Sequence, residues 1–207
     1  MREILMFFMA IWLNFSVLAN AKHEEIGRNN DTIPTNNCPL FDNDTEASKI
    51  VLSIIDHAGV CPNFEIREAD IANAKAVIRD NQRVILYNTE YIKSINQKGS
   101  TNWAGIGVLA HEIGHHLNGH TFYFDRSDYE AELEADNFAG FILRRMGANL
   151  NQAQAAINAV CKEKCTKTHP GRSTRLKAIE TGWTKADKQI KRVENLNSSS
   201  KGNISKS

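Results

Sequence analysis

The chain carries almost no net charge. Its 25 lysines and arginines stand against 24 aspartates and glutamates, a formal balance of +1. It therefore lacks the basic excess that contacts with a phosphate backbone leave in a composition, and nucleic acid is not an expected partner. It has no internal repeat and, beyond its first 21 residues, no apolar run long enough to span a bilayer. Cysteine is scarce, at four residues with no CxxC pair, which argues against a zinc site built from thiolates. What remains is ordinary globular composition: 207 residues, 42% hydrophobic and 24% charged, enough for one domain with a proper core.

The one apolar run lies at the start. "MREILMFFMAIWLNFSVLANA" has a single arginine, a hydrophobic stretch from Ile4 to Leu13 that thins towards Leu18, and small residues at Ala19 and Ala21. This is the pattern of a secretory signal peptide over residues 1–21, giving an exported chain, periplasmic or extracellular, that begins near Lys22. An uncleaved anchor is the alternative, but Asn14 and Ser16 interrupt the run. Export to an oxidising compartment favours disulfides for Cys38, Cys61, Cys161 and Cys165, and sequence proximity favours Cys38 with Cys61 and Cys161 with Cys165.

Residues 22–45 are rich in Asn, Asp and Thr and read as an irregular leader, in which Asn43-Asp44-Thr45 also matches a glycosylation acceptor. "EASKIVLSIIDHAGV", from Glu46, has helical apolar spacing ended by Gly59. Three short β-branched stretches predict strands near 64–67, 74–78 and 83–87, with a turn at "RDNQ". Helices are expected from Thr89 to Ile95, over Trp103 to Leu117, after the capping box Ser127-x-x-Glu130, over Asn151 to Lys164 and over Arg172 to Thr181. Residues 184–207 read as a polar tail, partly disordered. The pattern is α+β, mainly helical with a small sheet, and the domain spans 46–183.

Four of the seven histidines crowd into "LAHEIGHHLNGH", Leu109 to His120. On a helix, His111 and His115 lie four apart on one face and can grip one metal ion. Glu112 is turned by about 100° from His111, beside the ion, where a base can take a proton from an activated water. A catalytic site needs one more protein ligand and an open position. "YEAELEADNFAG" offers Glu132 as that ligand and Asp136, four residues on, as an acceptor that fixes a ligand histidine's tautomer. Glu130 and Glu134 occupy other faces and read as solvated charges, and His116 reads as a solvated or helix-end histidine. In "THPGRSTR", Pro170 and Gly171 force a turn that can hold His169 against the cleft, as a donor to an oxyanion.

The combination of His111-Glu112-x-x-His115, Glu132-x-x-Ala135-Asp136 and His169-Pro170 with Arg175 resembles the gluzincin metallopeptidases of the HtpX and CAAX prenyl-protease type, metallopeptidase family forty-eight. The resemblance covers residues 46 to 182 and is specific in the motifs. It implies a zincin-like fold with the sheet beside the HExxH helix, one Zn²⁺ per chain on His111, His115 and Glu132, Glu112 as catalytic base, and His169 near the reacting carbonyl. His120 matches a further histidine of that motif, and with Asp136 and Arg175 is expected around the ligands. Gly171 departs from the His-Pro-Pro turn often found in the family, some of whose members hold that histidine near the metal in a latent state. Many relatives also carry transmembrane helices, which this chain lacks after its signal.

The expected function is that of an exported zinc endopeptidase acting on extended or unfolded polypeptides. The substrate is expected to pair with a sheet edge, for which "RVILYN" with Val84, Ile85 and Leu86 is the best candidate strand. The competing readings are a chaperone-like or latent binding module on the same fold and a metal-storage surface using His111, His115, His116 and His120. Glu112 favours catalysis, because a binding module needs no base beside the metal. Tyr123, Tyr129, His57 and Trp103 could reach the cleft, and spacing does not choose among them.

Overall fold

The computed structural model describes residues 45–61, 63–122, 128–161, 163 and 170–204. The expected signal over residues 1–21, the expected leader up to residue 44, Cys38, Cys165, His169, Tyr123 and Ser127 lie outside the described residues.

The first helix, α1 (Glu46–Ala58), begins where the Thr45 hydroxyl accepts the Ser48 amide and ends at Gly59, whose left-handed φ of 73° closes the last turn. Three strands follow, β1 (Glu65–Glu68), β2 (Ala74–Arg79) and β3 (Gln82–Tyr87). Asp80 and Asn81, at φ 49° and 61°, make the two-residue turn that joins β2 to β3, a geometry that short polar side chains tolerate. The sheet order is β1-β3-β2, with β1 parallel and β2 antiparallel to β3.

That order corrects one expectation. β3 is the central strand, bonded on both sides, and Val84, Ile85 and Leu86 are buried in the core. Its near-continuous apolar run reflects burial on both faces and not a site for added strands. Among the described residues, the edge strand next to the HExxH helix is β2. The tight turn makes Arg79 and Gln82 a bonded pair, so by antiparallel alternation the backbone groups of Ala74, Ala76 and Ile78 face away from β3.

Helices α2 (Thr89–Gly99), α3 (Trp103–Leu117), α4 (Asp128–Arg145), α5 (Leu150–Ala153), α6 (Ala155–Val160) and α7 (Arg172–Ile204) complete the fold. Two expectations change. The single helix over Asn151 to Lys164 is two short helices that meet at Gln154, and Cys161 is extended. The polar tail is not irregular: α7 continues unbroken through Ile204, carrying exposed Val193 and Leu196. Among the described residues no helix is long and apolar enough to cross a membrane.

One core lies between α1, the sheet, α3 and α4, around Ile54, Ile85, Leu109, Ile113 and Ile142. A second joins α4 to α5, α6 and α7 through Leu143, Ala148, Ile157 and Ile179. The α4/α7 contact brings backbone against backbone. A Cβ built on Gly182 would overlap the Asn137 carbonyl, and one on Gly140 would overlap that of Ile179. Farther along, Arg144 pairs with Asp187 at 2.8 Å, and the Trp183 indole donates to the Ala148 carbonyl at 2.9 Å.

Cys61 is disulfide-bonded. The expected Cys161–Cys165 bridge is not formed: Cys161 carries a thiol that faces the Pro170 carbonyl at 3.9 Å. The same backbone is tied down by Arg172, whose Nε donates to the Cys161 carbonyl at 2.9 Å.

The glycine contact gives a direct test. Gly182→Ala, with backbone atoms in the way and no flexible side chain to yield, should destabilise the protein by at least about 1–3 kcal/mol in urea unfolding. An unchanged midpoint would contradict the close approach of α4 and α7.

Candidate metal centre

His111 and His115 occupy successive turns of α3, and Glu132 faces them from α4. Gly114 lets the two helices approach here, since its missing Cβ would sit 3.1 Å from the Ala135 backbone. The His111 and His115 Nε2 atoms are 3.1 Å apart. Glu132 Oε2 lies 3.6 Å from His111 Nε2, and its Oε1 lies 3.4 Å from His115 Nε2.

These separations test the fit of an ion. Zn–N and Zn–O bonds of about 2.0–2.1 Å in a tetrahedron separate the ligand atoms by about 3.3 Å. The three donors bracket that value, and their ligand atoms form the one His/Cys/Asp/Glu group of this kind among the described residues. The donor set of two imidazoles and a carboxylate suits a borderline transition-metal ion, zinc included, and three protein ligands leave one tetrahedral position open.

The surroundings decide which nitrogens are available. His111 Nδ1 is 2.9 Å from Asp136 Oδ1 and 3.4 Å from Arg175 Nη2. The carboxylate is nearer, so Nδ1 carries the proton and Nε2 presents its lone pair to the other ligands. Asp136 is 1% exposed and receives a bidentate pair from Arg175, with Nε and Nη2 both at 2.7 Å. Arg175 Nη2 also reaches Glu132 Oε2 at 3.3 Å. One guanidinium on α7 thus holds both carboxylates of α4 in place.

Electrostatics follow this wiring. Burial works to raise the Glu132 carboxyl, but hydrogen bonds from His111 and His115 and the Arg175 charge hold it well below its usual range. Asp136 is likewise lowered, its burial outweighed by Arg175 and His111. Burial opposes a charge on His111, yet the Asp136 and Glu132 carboxylates raise its proton affinity. The site is preset to hold positive charge.

Glu112 lines the same cleft as these three residues, where its Oε2 accepts the Ala76 amide of β2 at 2.7 Å. Burial raises its carboxyl, and His111, His115 and the Ala76 amide moderate the rise. The cleft, about 750 Å³, is lined by β2, by His111, His115 and Glu132, and by apolar Val108, Leu143, Ile157 and Ile179.

Several assignments change. His116 is neither solvated nor a ligand: it is 0% exposed, stacks on Phe64 and places Nε2 3.1 Å from the Val84 carbonyl, tying α3 to the central strand. Its burial lowers its pKa to about 4. Glu134 is not a simple solvated charge, since its Oε2 lies 2.9 Å from His120 Nε2. His57 bonds to Ser53 on its own helix, Trp103 packs in the second core, and Tyr129 is exposed, so none of these lines the cleft.

Tyr91 does line it, and sequence reasoning passed it over. Burial raises its hydroxyl pKa, Glu112 adds to the rise, and Arg175 opposes it. Only its placement on the first turn of α2, after the Asn88 cap, could have drawn attention to it.

Compared with family models, curated proteins and solved structures, the chain finds no match.

The buried pair on α4 and α7 yields a prediction. Asp136→Ala leaves the buried Arg175 guanidinium with only its longer contact to Glu132 and should cost about 3–5 kcal/mol in denaturant unfolding, far more than breaking an exposed pair such as Lys93–Glu90. Equal losses at the two sites would refute the buried pairing.

Proposed function

We propose that the chain is a zinc-dependent endopeptidase that cleaves extended or unfolded polypeptides, with a zincin-like active site resembling that of the gluzincins. The observation that carries this reading is the convergence of His111, His115 and Glu132 at tetrahedral spacing, with the Glu112 carboxylate in the same cleft. One divalent ion on those three residues supplies Lewis-acid chemistry, polarising a carbonyl and acidifying water.

The rest is the work of the chain's own groups. Glu112 accepts the proton of the attacking water at its carboxylate and returns it to the departing amine nitrogen. Its raised proton affinity suits both halves of that task. Asp136 and Arg175 keep His111 and Glu132 oriented while charge develops. The substrate lies along β2, where the outward backbone groups of Ala74 and Ile78 can pair with an extended chain. This replaces β3 as the substrate strand. His169, as an oxyanion donor, belongs to this proposal through the resemblance alone. Export to the periplasm or the extracellular space, proposed from residues 1–21, agrees with the disulfide at Cys61.

The metal-storage reading loses support, because His116 is buried in the core and His120 is directed to His115 and Glu134. A base in the cleft distinguishes an enzyme from a holding module. The test is zinc content and cleavage of unfolded casein by the parent beside Glu112→Gln. One zinc per chain is expected in both, with cleavage in the variant lower by about 10²–10⁴-fold. Equal cleavage by the two proteins would remove Glu112 from the mechanism; one zinc in each with no cleavage in either would favour the binding module.

A further inference from the structure

The two ligand imidazoles are not held alike. His111 leans on Asp136 directly, whereas Nδ1 of His115 lies 3.0 Å from Nδ1 of another imidazole, His120. The contact is built by the end of α3. Gly119 takes a left-handed φ of 75°, its amide donating to the His116 carbonyl at 3.2 Å, and the His120 amide donates to the His115 carbonyl at 2.9 Å. These paired bonds form a Schellman turn, and they fold residue 120 back onto the ring of residue 115. The ring centroids are 5.0 Å apart with the planes at 73°.

The far side of His120 meets Glu134 of α4, Nε2 to Oε2, at 2.9 Å. The His120 side chain is 4% exposed and that of Glu134 is 41% exposed, so one end of the chain is sealed and the other meets solvent.

Hydrogen-bond roles then propagate in one direction. An ionised carboxylate only accepts, so His120 Nε2 carries a proton. A neutral imidazole has one N–H, so His120 Nδ1 is an acceptor and the proton in the 3.0 Å contact belongs to His115 Nδ1. His115 Nε2 is left with its lone pair exposed towards His111 Nε2 and Glu132 Oε1. We propose that Glu134 is a positioning residue for the metal site: acting through His120, it fixes His115 in the tautomer and orientation that binds an ion. Both ligand histidines are thereby set by α4 carboxylates, His111 directly and His115 through one intervening ring.

This rests on the metal-site reading above, and the test separates the two. Zinc dissociation constants of the full chain, measured by chelator competition, are compared for the parent, Glu134→Gln and Glu134→Ala. Unfolding curves with zinc removed check the fold of each. Long-range ¹H–¹⁵N spectra of the zinc-loaded parent read the ring protons.

Zinc binding should weaken about 10- to 100-fold in both variants, the range that removing a partner of a ligand histidine usually produces, with the zinc-free unfolding midpoint unchanged. The spectra should show His120 neutral with its proton on Nε2 and His115 protonated on Nδ1. A merely structural role for Glu134 would move the unfolding midpoint and leave the tautomers alone. Tight zinc in the parent with equal affinity in both variants, or a doubly protonated His120 ring, would overturn this proposal alone. A parent that binds no zinc would overturn the metal site and this proposal together.

Discussion

The arrangement depends on one buried ion pair. Asp136 and Arg175 join α4 to α7 through two 2.7 Å bonds, and the same two side chains touch His111 and Glu132. An unpaired charge buried to that depth would cost several kcal/mol, so the pair fixes the rotation of both helices about their axes. The glycine contact farther along sets how close those helices come. Glu132, beside that pair, faces α3.

The α3 face is fixed from the other side. His116 bonds to the Val84 carbonyl, Arg83 donates to the His116 carbonyl at 3.0 Å, and Glu112 accepts the Ala76 amide. Consecutive residues of the HExGHH stretch are therefore divided between two jobs. His111 and His115 face the cleft, while His116 anchors the helix to the sheet. Crowding of histidine in this segment reflects that division and the return of His120 through the Gly119 turn.

Much of this was legible in the sequence, because helical periodicity and the spacing of four between His111 and His115 are local properties. α1, α3, the three strands and the turn at Asp80-Asn81 follow from apolar spacing and turn chemistry, and the four-residue spacing on α3 and α4 foreshadows the meeting of His111 and His115 with Glu132 and Asp136. What escaped was set by tertiary contact. β3 reads as a fine strand whether it lies at the edge or the centre, and only the parallel pairing with β1 decides. Glu134 looks solvated by helical phase, since nothing local says that a turn fourteen residues earlier brings His120 against it. Tyr91 lies on an otherwise ordinary amphipathic helix, and the long run of α7 past Trp183 has a polar composition that gives no sign of its order.

The central claim is that His111, His115 and Glu132 bind one ion with an open fourth position. X-ray absorption at the zinc edge of the zinc-loaded chain tests it most directly. The account predicts four nitrogen and oxygen neighbours at about 2.0–2.1 Å with the outer-shell scattering of two imidazoles and no sulfur. A sulfur shell at about 2.3 Å, or a shell without imidazole scattering, would contradict it.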